Sequence, residues 1–170
     1  GIDLGSTHIK MLSGTNSTTE HWMKPPLGRV KLNIDGSWQE EEGTGGAGMV
    51  LRDYAGSIIF SSCRFIPRCT SALEAEIAAL MEGVNLALER SPDGLIVETD
   101  CSVAMRMIMD TEANRSPVAA MVGDIRQLLA SRQLKILLIM REQNIVSDAL
   151  AQMGRLLPRT AVWLRSAPDE

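Results

Sequence analysis

From Val30 the chain alternates. Val30, Leu32 and Ile34 are apolar, while Lys31, Asn33 and Asp35 between them are polar, the period of two that marks a strand with one buried face. The alternation puts Asp35 at the strand's end, on the face away from the aliphatic residues. Residues 49–51 and 58–60 are further apolar runs, and Asp53-Tyr54-Ala55-Gly56 between them has turn chemistry, so three antiparallel strands are predicted first. Ser71 and Glu74 form a capping box, and Leu73, Ile77, Leu80, Val84 and Leu88 recur at helical spacing until Pro92 and Gly94 end the helix. Leu95-Ile96-Val97 reads as a strand covered on both faces, and Glu98-Thr99-Asp100 carries it to its carboxyl end. Residues 101–110 read as a short helix. Ser116-Pro117 opens another, to about Ala130. Residues 134–140 read as a last strand. A final helix over 142–157 sets Ile145, Ala149 and Met153 on one face and Arg141, Asn144, Asp148 and Arg155 on another. The order is βββ-α-β-α-α-β-α, an α/β fold with a five-stranded mixed sheet flanked by helices.

Composition narrows the class. A chain of 170 residues with 45% apolar and 22% charged residues suits one domain with a sizeable core. It has no apolar stretch of the roughly 20 residues a membrane span needs. The Ser/Thr-rich run before Pro25-Pro26 sets the expected organisation: a linker over 1–21, a domain over 22–165 and a tail over 166–170. Cys63, Cys69 and Cys101 are odd in number and lack CxxC spacing, which leads to the expectation of a reducing, intracellular compartment, nuclear or cytoplasmic. A net charge of −4 argues against binding nucleic acid through a broad basic surface. It leaves open a substrate held partly through metal ions.

Asp35 and Asp100 fall at carboxyl ends of strands, where sites form in folds of this kind. Clustered carboxylates repel unless a cation intervenes, and hard oxygen ligands suit Mg²⁺ or Mn²⁺. The chemistry suggested is metal-assisted phosphoryl transfer. Gly45, Gly46 and Gly48 read as hairpin or bulge glycines, or as places where another chain approaches closely.

Six segments together carry a resemblance. They are Trp22-Met23-Lys24-Pro25-Pro26, Lys31-Leu32-Asn33-Ile34-Asp35-Gly36-Ser37, Gly46-Ala47-Gly48-Met49-Val50-Leu51-Arg52-Asp53, Glu74-Ala75-Glu76-Ile77-Ala78-Ala79-Leu80, Val97-Glu98-Thr99-Asp100 and Arg141-Glu142-Gln143-Asn144-Ile145-Val146-Ser147-Asp148-Ala149-Leu150-Ala151. In this order they resemble the ribonuclease H family, most closely the plant reverse-transcriptase-like branch found in retroelement proteins and their domesticated relatives. The resemblance implies a ribonuclease H-like fold and a site of four carboxylates, Asp35, Glu76, Asp100 and Asp148, holding two Mg²⁺ or Mn²⁺ ions. It implies that Asp35 bridges both ions, Glu76 and Asp100 hold the ion near the leaving oxygen, and Asp148 helps hold the ion that activates water. It further implies an endonuclease cutting the RNA strand of an RNA–DNA hybrid, with Gly36, Ser37, Arg141 and Asn144 as polar contacts for substrate. Glu74 differs from Glu76 by two positions, but the capping box gives it another task.

One departure stands out. Active members of the family commonly carry a histidine just before the final helix, and Leu138-Ile139-Met140 contains none. A second reading follows: a domesticated module that retains the fold and binds nucleic acid or a protein partner. Gly1-Ile2-Asp3-Leu4-Gly5-Ser6-Thr7 also looks like the first phosphate motif of sugar kinases and actin-like ATPases, which need a second domain for which 170 residues leave no room. That match is set aside. Two bound divalent cations would offset the net charge of −4, so productive binding of a polyanion is expected to depend on metal.

Overall fold

The computed structural model describes residues 21–110, 112, 115–132 and 134–168. Most of the expected linker, with the Gly1–Thr7 motif, lies outside them. Six strands and four helices follow in the order β1 (Arg29–Gln39), β2 (Thr44–Arg52), β3 (Ile58–Ile66), α1 (Ala72–Arg90), β4 (Gly94–Thr99), α2 (Ser102–Met109), α3 (Ala119–Arg132), β5 (Lys135–Leu138), α4 (Ile145–Leu156) and β6 (Ala161–Leu164). They form one mixed sheet, ordered β5-β4-β1-β2-β3-β6. The β1–β2, β2–β3 and β3–β6 pairs are antiparallel, and β1–β4 and β4–β5 are parallel.

The sixth strand corrects the five-stranded expectation. Residues 161–164 form too short a run to show a period, yet Ala161 and Trp163 pack with Val50, Cys63 and Leu150. That cluster draws the segment onto the free edge of β3.

The main core lies between the sheet and α1 to α3, built from Leu32, Ile34, Met49, Phe60, Ile77, Leu80, Val97 and Ile125, among others. Ser71 caps α1 as predicted, its hydroxyl accepting from Glu74 N at 3.0 Å. Glu74 accepts from Thr70 N at 2.8 Å.

The opposite face of the sheet is covered by α4, and here the expected pattern differs in two ways. First, α4 buries Ser147, Leu150, Ala151 and Gly154, not the Ile145/Ala149/Met153 face, and Ile145 is exposed. The reason is the small-residue run in β2. A Cβ on Gly48 would lie 2.0 Å from Ser147 O, and one on Gly46 would lie 2.0 Å from Ala151 O. The two glycines therefore let a helix backbone press against the strand, which also settles their place in the fold. Second, the final helix is interrupted: Arg141–Gln143 form a 3₁₀ turn, and Asn144 (φ −121°, ψ 24°) separates it from α4.

Strand β1 is also buried on both faces up to Asp35, so Lys31 and Asn33 are interior polar groups. Trp22 lies over Arg52, the guanidinium carbon 3.6 Å from the ring centroid. Trp38 serves as cover for the sheet, its indole N–H donating to Cys69 O at 3.0 Å. Cys63 and Cys69 are buried, Cys101 is half-buried, and all three are free thiols.

Candidate metal centre

The parallel ladder between β1 and β4 ends at Asn33 opposite Glu98. Beyond it β1 runs on to Gln39 beside β2 alone. Asp35 is thus in mid-strand, two residues past the parallel pairing, and not at the strand's end as the alternation suggested. Asp100 sits just after β4. It does not cap α2; Cys101 does so through its sulfur, which accepts from Ala104 N at 3.4 Å.

Glu76 reaches the same place from α1. The backbone of β1 can approach that helix because residue 36 is glycine: a Cβ there would stand 2.5 Å from Glu76 N. Carboxylate oxygens of Asp35, Glu76 and Asp100 lie within 4.8 Å of one another, and among the described residues no other group of three or more acids, histidines or cysteines converges this way. Asp148, in the first turn of α4, is not one of the three converging acids; it lies near enough to add to the rise of the Asp35 carboxyl, and Gln152 Nε2 donates to it at 3.1 Å. The four acids come from β1, α1, the end of β4 and α4.

Their electrostatics are adverse. Burial, then a shared hydrogen bond and charge repulsion with Glu76, pushes the Asp35 carboxyl far above the usual carboxylate range. Burial also raises Glu76, to about 7, although its hydrogen bond with Asp35 and the Gly36 amide oppose the rise. Asp100 is raised by burial, opposed by Asn144 and the Arg141 charge. Glu76 Oε2 is buried with no hydrogen-bond partner. Crowded carboxylates with one orphaned oxygen fit a hard divalent cation, whose charge removes the repulsion and whose coordination uses the free lone pairs.

The residues expected to meet substrate divide. Arg141 is exposed beside Asp100. Ser37 accepts from Arg155 Nε at 2.8 Å. The amide of Gly36 donates to Asp35 Oδ1 at 3.0 Å. Asn144 is buried, with its side chain engaged by Ile34 O, Asn33, Ser147 and Asp100. It belongs to the scaffold of the site.

Sequence reasoning missed what surrounds Asn144. Asn33 bonds Glu98, Asn144 and Arg52, and Lys31 pairs with Glu98 at 3.3 Å. Burial lowers the Arg52 pKa to about 10, with the Glu98 charge opposing the fall. The only signal in the sequence is polar residues at alternate positions, which a solvated face would also show.

The reverse transcriptase-like family matches residues 33–154, most of the chain and all four acids. The chain belongs to that family. An Arabidopsis thaliana protein named for ribonuclease H is 30% identical over 131 residues, and the match spans 76% of this chain but only 21% of that protein's length. Among solved structures, ribonuclease H1 of the halophilic archaeon Halobacterium salinarum superposes with a TM-score of 0.68 at 23% identity, covering 77% of this chain and 99% of that one. A ribonuclease H1 isolated from compost gives a TM-score of 0.70 at 20% identity, over 78% and 99% of the respective chains. A compost ribonuclease H1 solved with an RNA/DNA hybrid gives 0.58 at 22%, over 72% and 94%. This reverse transcriptase-like domain therefore has the ribonuclease H fold. Among its described residues no helix is long and apolar enough to cross a membrane.

Proposed function

We propose that this domain is a metal-dependent endonuclease that hydrolyses the RNA strand of RNA–DNA hybrids, with Asp35, Glu76, Asp100 and Asp148 holding two Mg²⁺ or Mn²⁺ ions. The observation that carries the reading is the convergence of buried Asp35 and Glu76 with Asp100, their oxygens within 4.8 Å, together with the unpartnered Glu76 Oε2. Two bound ions would supply an activated water and a counter-charge for the leaving oxygen. The chain's own residues do the rest. Gly36 lets β1 and α1 close so that Asp35 and Glu76 meet, Gly48 lets α4 with Asp148 press on β2, Asn144 orients Asp100, and Arg141 offers a cation at the exposed rim. An A-form-like hybrid is recognised by sugar and phosphate contacts, which an exposed arginine suits.

The missing histidine favours a second reading, a module with reduced turnover that retains binding to nucleic acid or a protein. Loss of a general acid or base lowers rates by about 10²–10⁴-fold and does not remove metal-driven cleavage. The test is incubation of labelled RNA–DNA hybrid with the protein and Mg²⁺ or Mn²⁺, beside Asp35→Asn. Slow, metal-dependent scission of the RNA strand that Asp35→Asn abolishes supports the nuclease. Equal products from both proteins point to a contaminant, and no products with retained hybrid binding points to the second reading.

A further inference from the structure

Asn33 is fully buried on the α4 side of β1, and both ends of its side chain are engaged. Its Oδ1 accepts from Arg52 Nη2 at 3.0 Å, and its Nδ2 donates to Asn144 Oδ1 at 3.1 Å and Glu98 Oε1 at 3.2 Å. Arg52 is held from beyond by the Trp22 ring, and Glu98 by Lys31.

These contacts fix a direction. The carbonyl of Ile34 can only accept, so Asn144 turns its NH₂ toward it, at 2.9 Å. Asn144 Oδ1 then faces two donors, Asn33 Nδ2 and the Ser147 hydroxyl at 2.6 Å. The same Nδ2 lies 3.4 Å from Asp100 Oδ2, to which its second N–H donates. A flipped amide would put NH₂ against the Asn33 donor and aim its oxygen at the Asp100 carboxylate, leaving buried groups unpaired.

We infer that Asn33 is a positioning residue: held by Arg52 beneath Trp22, it fixes the Asn144 amide with its NH₂ toward Asp100 and so sets how the Asp100 carboxylate meets a divalent cation. The last step rests on the cation-site reading above; the amide orientation does not. Asn33 touches none of the four acids through a side-chain hydrogen bond, so its effect on the site passes through Asn144. Groups that orient a metal ligand in this way commonly change affinity by about ten-fold or more.

The test uses the full chain as wild type, Asn33→Ser, Asn144→Ala and the double variant. Mn²⁺ binding is followed by the electron paramagnetic resonance of the free ion, and the Asn144 side-chain amide by NMR in EDTA. Asn33→Ser is expected to weaken Mn²⁺ binding about ten-fold, to speed exchange of the Asn144 amide protons, and to add nothing to Asn144→Ala in the double variant. Trp22→Leu, at the outer end of the contacts, serves if Asn33→Ser fails to fold, with the same changes at smaller size. Unchanged Asn144 signals together with Mn²⁺ affinity within two-fold of wild type in a folded variant would overturn the inference, as would additive losses in the double variant. Wild type that binds no Mn²⁺ would instead sink the cation-site reading, and the metal-free amide spectra would still decide the role of Asn33.

Discussion

Replacing Glu76 by glutamine should stabilise the metal-free protein, although it removes an acid from the site. Burial raises the Glu76 carboxyl from the ordinary 4.5 to about 7. A group raised in this way keeps its proton in the folded chain over a range where the unfolded chain has lost it, so stability is full below pH 4.5 and declines as pH rises to about 7. At about 1.4 kcal/mol per pH unit, that interval corresponds to about 3 kcal/mol lost at pH 8. Glutamine is neutral throughout and can still bond to Asp35. In urea titrations with EDTA, Glu76→Gln should gain about 2–3 kcal/mol over wild type at pH 8 and almost nothing at pH 4.5. Added Mg²⁺ should reverse the order, because only wild type recovers the electrostatic cost by binding the ion. A variant less stable than wild type at pH 8 in EDTA would refute the reasoning, as would a gain of equal size at both pH values.

Further outcomes follow from the same geometry. Mg²⁺ should raise the melting temperature more at pH 8 than at pH 5, since at the lower pH the ion must displace protons from Asp35 and Glu76; equal shifts would contradict this. Gly48→Ala places a Cβ 2.0 Å from Ser147 O, so calorimetry should show a loss of about 1–3 kcal/mol and a weaker response to Mg²⁺ as Asp148 is displaced. Gly36→Ala, with its Cβ 2.5 Å from Glu76 N, should separate Glu76 from Asp35 and likewise blunt the Mg²⁺ response. Ser71→Ala removes the cap of α1 and should lower stability by about 1 kcal/mol with the Mg²⁺ response intact, which separates stability from the site.

The sequence carried the fold where local chemistry and tertiary packing agree. The alternation over 30–35 placed Asp35 on the face away from the aliphatic residues, and that is the face α4 covers. The capping box assigned Glu74 to Ser71 at the start of α1, leaving Glu76 as the acid that meets Asp35 and Asp100. What was not legible depends on neighbours distant in the chain. Lys31 and Asn33 look like a solvated face until Glu98, Arg52 and Asn144 arrive to satisfy them. The buried side of α4 is made mostly of small residues, Ser147, Ala151 and Gly154 beside Leu150, which hydrophobic spacing cannot find, because the glycines of β2 select for close approach and not for bulk. β6 is four residues long and takes its place from the edge of β3. Asn144 ends a 3₁₀ turn instead of continuing a helix because its side chain is drawn inward to Ile34 O and Asp100.

Whether the four carboxylates form a divalent-cation centre can be seen by anomalous diffraction from crystals grown in saturating Mn²⁺. Two peaks about 4 Å apart are expected, both bonded to Asp35, with Glu76 and Asp100 on one and Asp148 on the other. A well-ordered site with no anomalous peak beside Asp35 would contradict the cation-site reading.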